Sequence, residues 1–235
     1  MNYLLYLLLT CLCFSQAEEI LKKSDRTRTF GENNKIEILM EEFEKDQLKS
    51  SERMDVYNRG RNKSLVKLND RKGQLVLTVD ENMWIYFPKT RKPMRITPFQ
   101  RLMGQASNGD IARLSYSDDY TSTILREETW KGTPCYVLEL KAKSRSSTYR
   151  KIHYWVSKSE YLPLKADYFM ISGKHFKSAY FEDYTVVDGS KRIGKIRFFK
   201  KDVEDQITVM RFLNIDETSL PNKFFNKNYL RKVSF

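Results

Sequence analysis

Apolar and polar residues alternate with a period of two along most of the chain, the pattern of strands that each turn one side toward a core. Runs at 35–43, 53–57, 64–68 and 74–79, separated by charged or Gly/Asn turns, predict an antiparallel meander. The run 82–88 continues it and is stopped by Pro88. Strand-like runs resume at 121–127, 135–142, 151–157, 162–171, 175–187, 195–200 and 206–213. Helical signals occur in three places only. Segment 17–26 has Glu18 and Glu19 at its positive end and a small apolar face at Ile20 and Leu21. Segment 97–104 has Thr97 as cap, Pro98 in the first turn and Gly104 at the end, and segment 108–114 is capped by Asn108 or Asp110. About eleven short strands, with helices only at the start and centre, predict a mainly β single domain: a strongly curved antiparallel sheet or partial barrel.

Several strands are bulky and apolar on both faces. Trp84 and Tyr86 stand against Met83, Ile85 and Phe87, Tyr154 against Trp155, and Met210 and Phe212 against Val209 and Leu213. A sheet with one face in water would alternate more cleanly, so both faces are expected to be covered at least in part. A barrel around an apolar cavity and a filled core both fit this pattern.

Composition supports a folded chain of 235 residues: 40% are hydrophobic, with 14 Phe and 14 Tyr, although 31% are charged. The scarcity of Gly (9) and Pro (6), with no repeat of fixed period, excludes collagen-like, solenoid and low-complexity architectures. The uncharged run from Leu4 to Phe14, followed by Ser15, Gln16 and Ala17, reads as a signal peptide over 1–17, with an N-terminal anchor that stays attached as the alternative, and leaves a domain over 18–235. That run is well short of the ~20 residues that span a bilayer. Export removes Cys11 and Cys13, so Cys135 stands alone and no intrachain disulfide forms. Thr10 and Leu12, the residues before Cys11 and Cys13, do not fit a lipoprotein acylation site. Cys135 opens a strand-like run and is expected to be a small buried hydrophobe.

No catalytic constellation stands out, and no enzyme activity, metal or cofactor is expected. His153 and His175 have no ligand partners at metal-binding spacing, and no phosphate loop, GxSxG or HExxH is present. Adjacent carboxylates, Asp118-Asp119 and Glu127-Glu128, point to opposite faces of a strand and cannot share a proton. The net charge of +12 is concentrated in runs such as 89–95 and 195–201, where basic residues interleave with apolar and aromatic ones. In an exported protein such runs face an anionic membrane surface or an acidic partner rather than nucleic acid, or are plain solvated surface.

A series of short motifs occurs in order along the chain: Asn82-Met83-Trp84-Ile85-Tyr86-Phe87-Pro88, Arg91-Lys92-Pro93-Met94-Arg95-Ile96, Gln100-Arg101-Leu102-Met103-Gly104, Asp110, Asp119-Tyr120-Thr121, Gly132-Thr133-Pro134-Cys135-Tyr136-Val137-Leu138-Glu139-Leu140, Tyr154-Trp155-Val156 and Tyr161-Leu162-Pro163. With this spacing, over 18–233, the sequence resembles the outer-membrane lipoprotein-sorting protein family, in its LolA-like branch found beside RND/MMPL-type exporters. The resemblance implies a half-open antiparallel β-barrel with short helices as a lid over a hydrophobic cavity, and carriage of lipid or lipoprotein acyl chains across the periplasm without catalysis. It implies an inner-membrane RND/MMPL-type exporter as a partner, with lipid-dependent regulation of that exporter as the alternative role, and a monomer is expected. Strand parity then assigns Leu77, Val79, Trp84, Tyr86, Leu138, Leu140, Tyr154, Met210 and Phe212 to the cavity, with Ile96, Phe99, Leu102 and Met103 in the lid. A one-residue slip of register would invert any strand's set. The family's lid-engaging strand arginine has no matching motif here, although Arg53, Arg59 and Arg61 lie in the corresponding region.

Overall fold

The computed structural model describes residues 16–69, 73–97, 100, 110–111, 115–145, 147–187, 189–203 and 205–233. After a helix over 16–25, α1, the chain enters a meander of long strands. It runs through β1 (Asn33–Glu44), β2 (Gln47–Arg59), β3 (Lys63–Leu68), β4 (Leu75–Val79), β5 (Asn82–Tyr86) and β6 (Pro93–Arg95). A second meander follows: β7 (Tyr120–Trp130), β8 (Thr133–Ala142), β9 (Lys151–Ser157), β10 (Pro163–Phe169) and β11 (His175–Glu182). A small separate hairpin, β12 (Thr185–Val187) and β13 (Ser190–Arg192), precedes β14 (Lys195–Lys200) and β15 (Gln206–Glu217).

Thirteen of these strands form one antiparallel sheet in the order β6-β5-β4-β3-β2-β1-β15-β14-β11-β10-β9-β8-β7. The first and last strands of the described chain meet in its middle, where Met40 pairs with Met210 and Ile36 with Ile215. Each meander therefore runs outward to a free edge, β6 on one side and β7 on the other, and the sheet does not close. The chain between Arg95 and Tyr120 passes from one edge to the other.

Local sequence explains the pairing. In β1, Ile36, Ile38 and Met40 are buried on one face while Lys35, Glu37 and Glu41 keep partial access to water on the other. Lys45 and Asp46 both have positive φ, 49° and 60°, which gives the β1–β2 hairpin a turn whose twist matches its strands. Bulges at Glu37/Ile38, Ile124/Arg126 and Tyr168/Phe169 bend long strands that would otherwise stay nearly flat. Gly194 leads into β14 where a Cβ would lie 2.1 Å from the Asp183 carbonyl oxygen, a gap that admits no side chain.

The expected curved, half-open antiparallel sheet is present, with more strands than the expected eleven: fifteen among the described residues. Strands β6, β12 and β13 are three residues each, too short to show alternation. The run 175–187 divides at Asp183, where φ is 54°. Of the expected lid helices, Gln100, Asp110 and Ile111 are helical and the rest lies outside the described residues. The expected cap is formed: the Gln100 amide donates to Thr97 Oγ1 at 3.3 Å and Gln100 Oε1 accepts from the Thr97 amide at 2.9 Å.

Burial occurs on both faces. On the concave face a continuous core runs from β5 to β8, with Ala17, Ile20 and Leu21 of α1 inserted into it at helical spacing. On the outer face of β2–β5, two 3-10 helices, Asn222–Phe225 and Lys227–Lys232, bury Phe225 and Leu230 against Tyr57, Leu65, Leu75, Leu77 and Tyr86. Each such side chain contributes about 1.5–3 kcal/mol by leaving water. A smaller outer cluster joins Cys135, Val137 and Trp155.

Candidate functional site: the concave face

The concave face has two unlike halves. Under β1–β5 it is built from aliphatic and thioether side chains: Ile36, Ile38, Met40, Met54, Val56, Val66, Val76 and Met83, with Met210 of β15 beside them. Cross-strand registration assembles this set, because Ile38 faces Met54, Val56 faces Val66, and Val66 faces Val76. Methionine has no branch and three rotatable bonds, so such a surface can repack around an apolar guest. Ile96 is buried in the same cluster.

Under β7–β11 apolar side chains such as Leu138, Leu140, Ile152 and Val156 are joined by a group of buried polar ones. Tyr116, Tyr120, Tyr149, Tyr154 and Tyr168 are all buried, and burial pushes the hydroxyls of Tyr116, Tyr120, Tyr154 and Tyr168 above the usual phenol range, so they remain protonated. Their hydroxyls are paired: Tyr116 with Tyr168 at 2.7 Å, Tyr154 with Ser24 of α1 at 3.0 Å, and Tyr120 with the Tyr149 carbonyl at 3.2 Å. Tyr149 donates to Asp110 at 2.9 Å, and the buried Lys177 ammonium forms an ion pair with the same carboxylate. Burial pushes the Lys177 amine down, and Asp110 opposes that effect.

The end of α1 is fastened to this half. The Asp25 carboxylate accepts the amides of Tyr116 and Ser117, at 3.0 and 2.7 Å, and the Ser115 hydroxyl at 3.1 Å. Burial raises Asp25, and Arg28 and these donors oppose the rise. Arg28, 4% exposed, lies with its guanidinium 3.4 Å from the centre of the Tyr116 ring. Beside it is a pocket of about 20 Å³, which suits a water-sized group rather than an acyl chain.

The side chains expected to line one cavity are split between two faces. Leu138, Leu140, Tyr154 and Met210 are fully buried in the concave core and Phe212 packs against it. Leu77 and Tyr86, with the partly buried Val79 and Trp84, belong to the outer cluster under the C-terminal 3-10 helices. Leu77 pairs with Trp84 on that side while Val76 and Ile85 face the concave core. Phe99, Leu102 and Met103 lie outside the described residues. Parity was ambiguous in β4 because four of its five residues are buried, two on each face. Arg53, Arg59 and Arg61 do not enter the concave core. Arg53 pairs with Glu37 at 3.2 Å, Arg59 holds the Leu220 carbonyl at 2.6 Å, and the exposed Arg61 approaches Glu32 and Asp118.

The other candidate residues have structural surroundings. His153 lies 3.5 Å from Glu139, and burial lowers its pKa. Among the described residues no group of three or more His, Cys, Asp or Glu could hold a metal ion. No helix among them is long and apolar enough to cross a membrane. Cys135 is free and buried, and burial pushes its thiol up.

A LolA superfamily protein from Nitrosomonas europaea has the same fold with a TM-score of 0.83 and 30% identity, over 91% of this chain and 98% of that one. The chain belongs to the LolA superfamily. A family model described as "Uncharacterized protein" matches residues 60–232. Two further structures share the LolA fold at 22% identity. One is a DUF1329 family protein from Desulfovibrio piger, with TM-score 0.77 over 93% of this chain and 99% of that one. The other is described as an outer membrane lipoprotein-sorting protein domain, from Vibrio parahaemolyticus, with TM-score 0.73 over 92% and 99%. No curated protein matches the sequence.

Against that LolA framework, the basic runs separate. In 195–201, Lys195 and Arg197 are ion-paired with Glu182, while Lys200 and Lys201 are exposed. In 89–95, Lys89, Arg91, Lys92 and Arg95 are exposed. The C-terminal 3-10 helices bring Lys223, Lys227, Arg231 and Lys232 to the same end of the molecule, with Lys227 5.9 Å above the Trp84 ring. Neither 82–97 nor 218–235 contains an Asp or Glu.

Proposed function

We propose that the protein is a soluble periplasmic carrier. It holds the acyl chains of a lipid or lipoprotein against the concave face of its sheet and helps move them toward the outer membrane, without catalysis. The observation that carries this reading is the methionine-rich apolar half of the concave face, set in an unclosed LolA-superfamily sheet. Each methylene of a lipid chain left in water costs about 0.8 kcal/mol, so a carrier must present adaptable apolar surface and must be able to widen. Met40, Met54, Met83 and Met210 are all buried, so a chain enters by displacing packed side chains, which methionines allow. The uncharged apolar run from Leu4 to Phe14, read as an export signal, supplies the route to the periplasm.

The acid-free basic face of 89–95 and 223–232 is the proposed contact with an anionic membrane surface, each cation near such a surface contributing about 1 kcal/mol. Co-purification tests the carrier reading. Protein isolated from its own periplasm is expected to show lipid adducts in native mass spectrometry and to release that lipid on extraction. Repeated preparations without lipid, together with no uptake of any offered amphiphile, would contradict it.

A further inference from the structure

Arg28 lacks a conventional partner. It is 4% exposed, yet its Nε and Nη1 have no hydrogen-bond acceptor among the described residues. The nearest carboxylate, Asp25, stands 3.9 Å from Nη1 and spends its oxygens on the Tyr116 and Ser117 amides and the Ser115 hydroxyl. What holds the guanidinium is aromatic: Tyr116 at 3.4 Å, Phe181 at 5.5 Å and Tyr154 at 5.9 Å. An aromatic cage fixes the plane of an arginine while leaving its N–H groups without the acceptors that a buried cation requires. Arg28 lines the small pocket together with Tyr116, Tyr149 and Tyr168. Two carboxylates share that lining. Asp110 is neutralised by Lys177, and Asp119 is half-exposed and screened by solvent.

We propose that this pocket binds the compact anionic head group, a carboxylate first of all, of an amphiphile whose chain lies on the apolar half of the concave face. The proposal rests on the carrier reading and narrows its cargo to acidic lipids. Volume limits the head group to the smallest, since about 20 Å³ is space for a water-sized group such as one carboxylate oxygen. Arginine suits the task because its planar fork matches a carboxylate and it stays charged when buried.

The test compares palmitate, hexadecanol and acetate binding to the mature protein by calorimetry, below the concentration at which either amphiphile aggregates. Palmitate is expected to bind at least about tenfold more tightly than hexadecanol, as a charge-assisted hydrogen bond provides. Acetate is expected to bind far more weakly than either. Arg28→Gln is expected to bring the palmitate-to-hexadecanol ratio close to one. Equal affinity of the native protein for palmitate and hexadecanol would overturn the proposal and leave the carrier reading standing. Acetate binding as tight as palmitate would also overturn it, by showing a site for free anions. Failure of both amphiphiles to bind would remove the carrier reading as well. The native ratio decides even if Arg28→Gln does not fold, and Arg28→Lys, which keeps the charge and loses the fork, is expected to retain part of the preference.

Discussion

The two halves of the concave face are built on opposite principles. Under β1–β5 the lining is aliphatic and methionine-rich, held by burial that has no direction. Under β7–β11 aliphatic residues share the lining with a set of tyrosines, an Asp110–Lys177 pair and a caged arginine, where each polar group demands a partner of fixed geometry. The first half tolerates change and can make room. The second is rigid and selective. A carrier needs both properties, one to accept chains of varied shape and one to distinguish what the chain is attached to.

The largest expected effect lies in the polar half. Lys177→Met leaves Asp110 buried without its cation, and urea denaturation is expected to show a loss of about 3–5 kcal/mol. The double variant Lys177→Met/Asp110→Leu is expected to recover most of that. A single substitution costing under about 1 kcal/mol would erase the distinction between the halves. Trp84→Ala comes next. Because Trp84 supports the C-terminal 3-10 helices on the outer face, it is expected to lower stability by about 1–3 kcal/mol with lipid loading unchanged. Loading that fell further than stability would return Trp84 to the cavity. In the apolar half, Met83→Leu conserves volume and is expected to cost less than about 1.5 kcal/mol, with chain uptake preserved.

Smaller effects are expected outside both halves. Glu128 accepts from Trp155 Nε1 at 2.5 Å and from Arg126 Nε at 2.6 Å, and these contacts, Trp155 first, hold its carboxyl below the usual 4.5. A carboxyl lowered by folding stabilises the fold above its unfolded pKa, and that contribution is lost as pH falls through the lowered value. Trp155 fluorescence is therefore expected to change on acidification below about pH 4.5, and Glu128→Gln is expected to remove that step. The Cys135 thiol, buried and donating to the Glu128 carbonyl at 3.3 Å, is expected to react with a thiol reagent only as the protein unfolds. Rapid labelling of native protein would contradict its burial.

The legible parts of the sequence were those with one clean period. Ile36, Ile38 and Met40 announce the inward face of β1, and Thr97 with Gln100 announces a helix start. Leu75–Val79 has a buried residue at every position but the last, so its facing depends on Phe225 and Leu230, more than a hundred residues away. Lys177 sits in step with Ala179 and Phe181, where pattern alone reads a lysine as an outward polar residue. Arg28 follows α1 in a segment with no period, and its cage is assembled from Tyr116, Tyr154 and Phe181, three distant stretches of chain. Long-range packing supplied what local pattern could not, most of all in the polar half.

The most direct measurement places a photoreactive amino acid at one position per variant and irradiates each with a radiolabelled palmitate. Substitutions at Met54 and Met83 test the concave face, and those at Leu77 and Trp84 the outer one. Strong labelling at Met54 and Met83 with none at Leu77 and Trp84 is the expected result. Equal labelling of the two faces, or labelling of the outer face alone, would contradict a carrier that holds its cargo in the curve of the sheet.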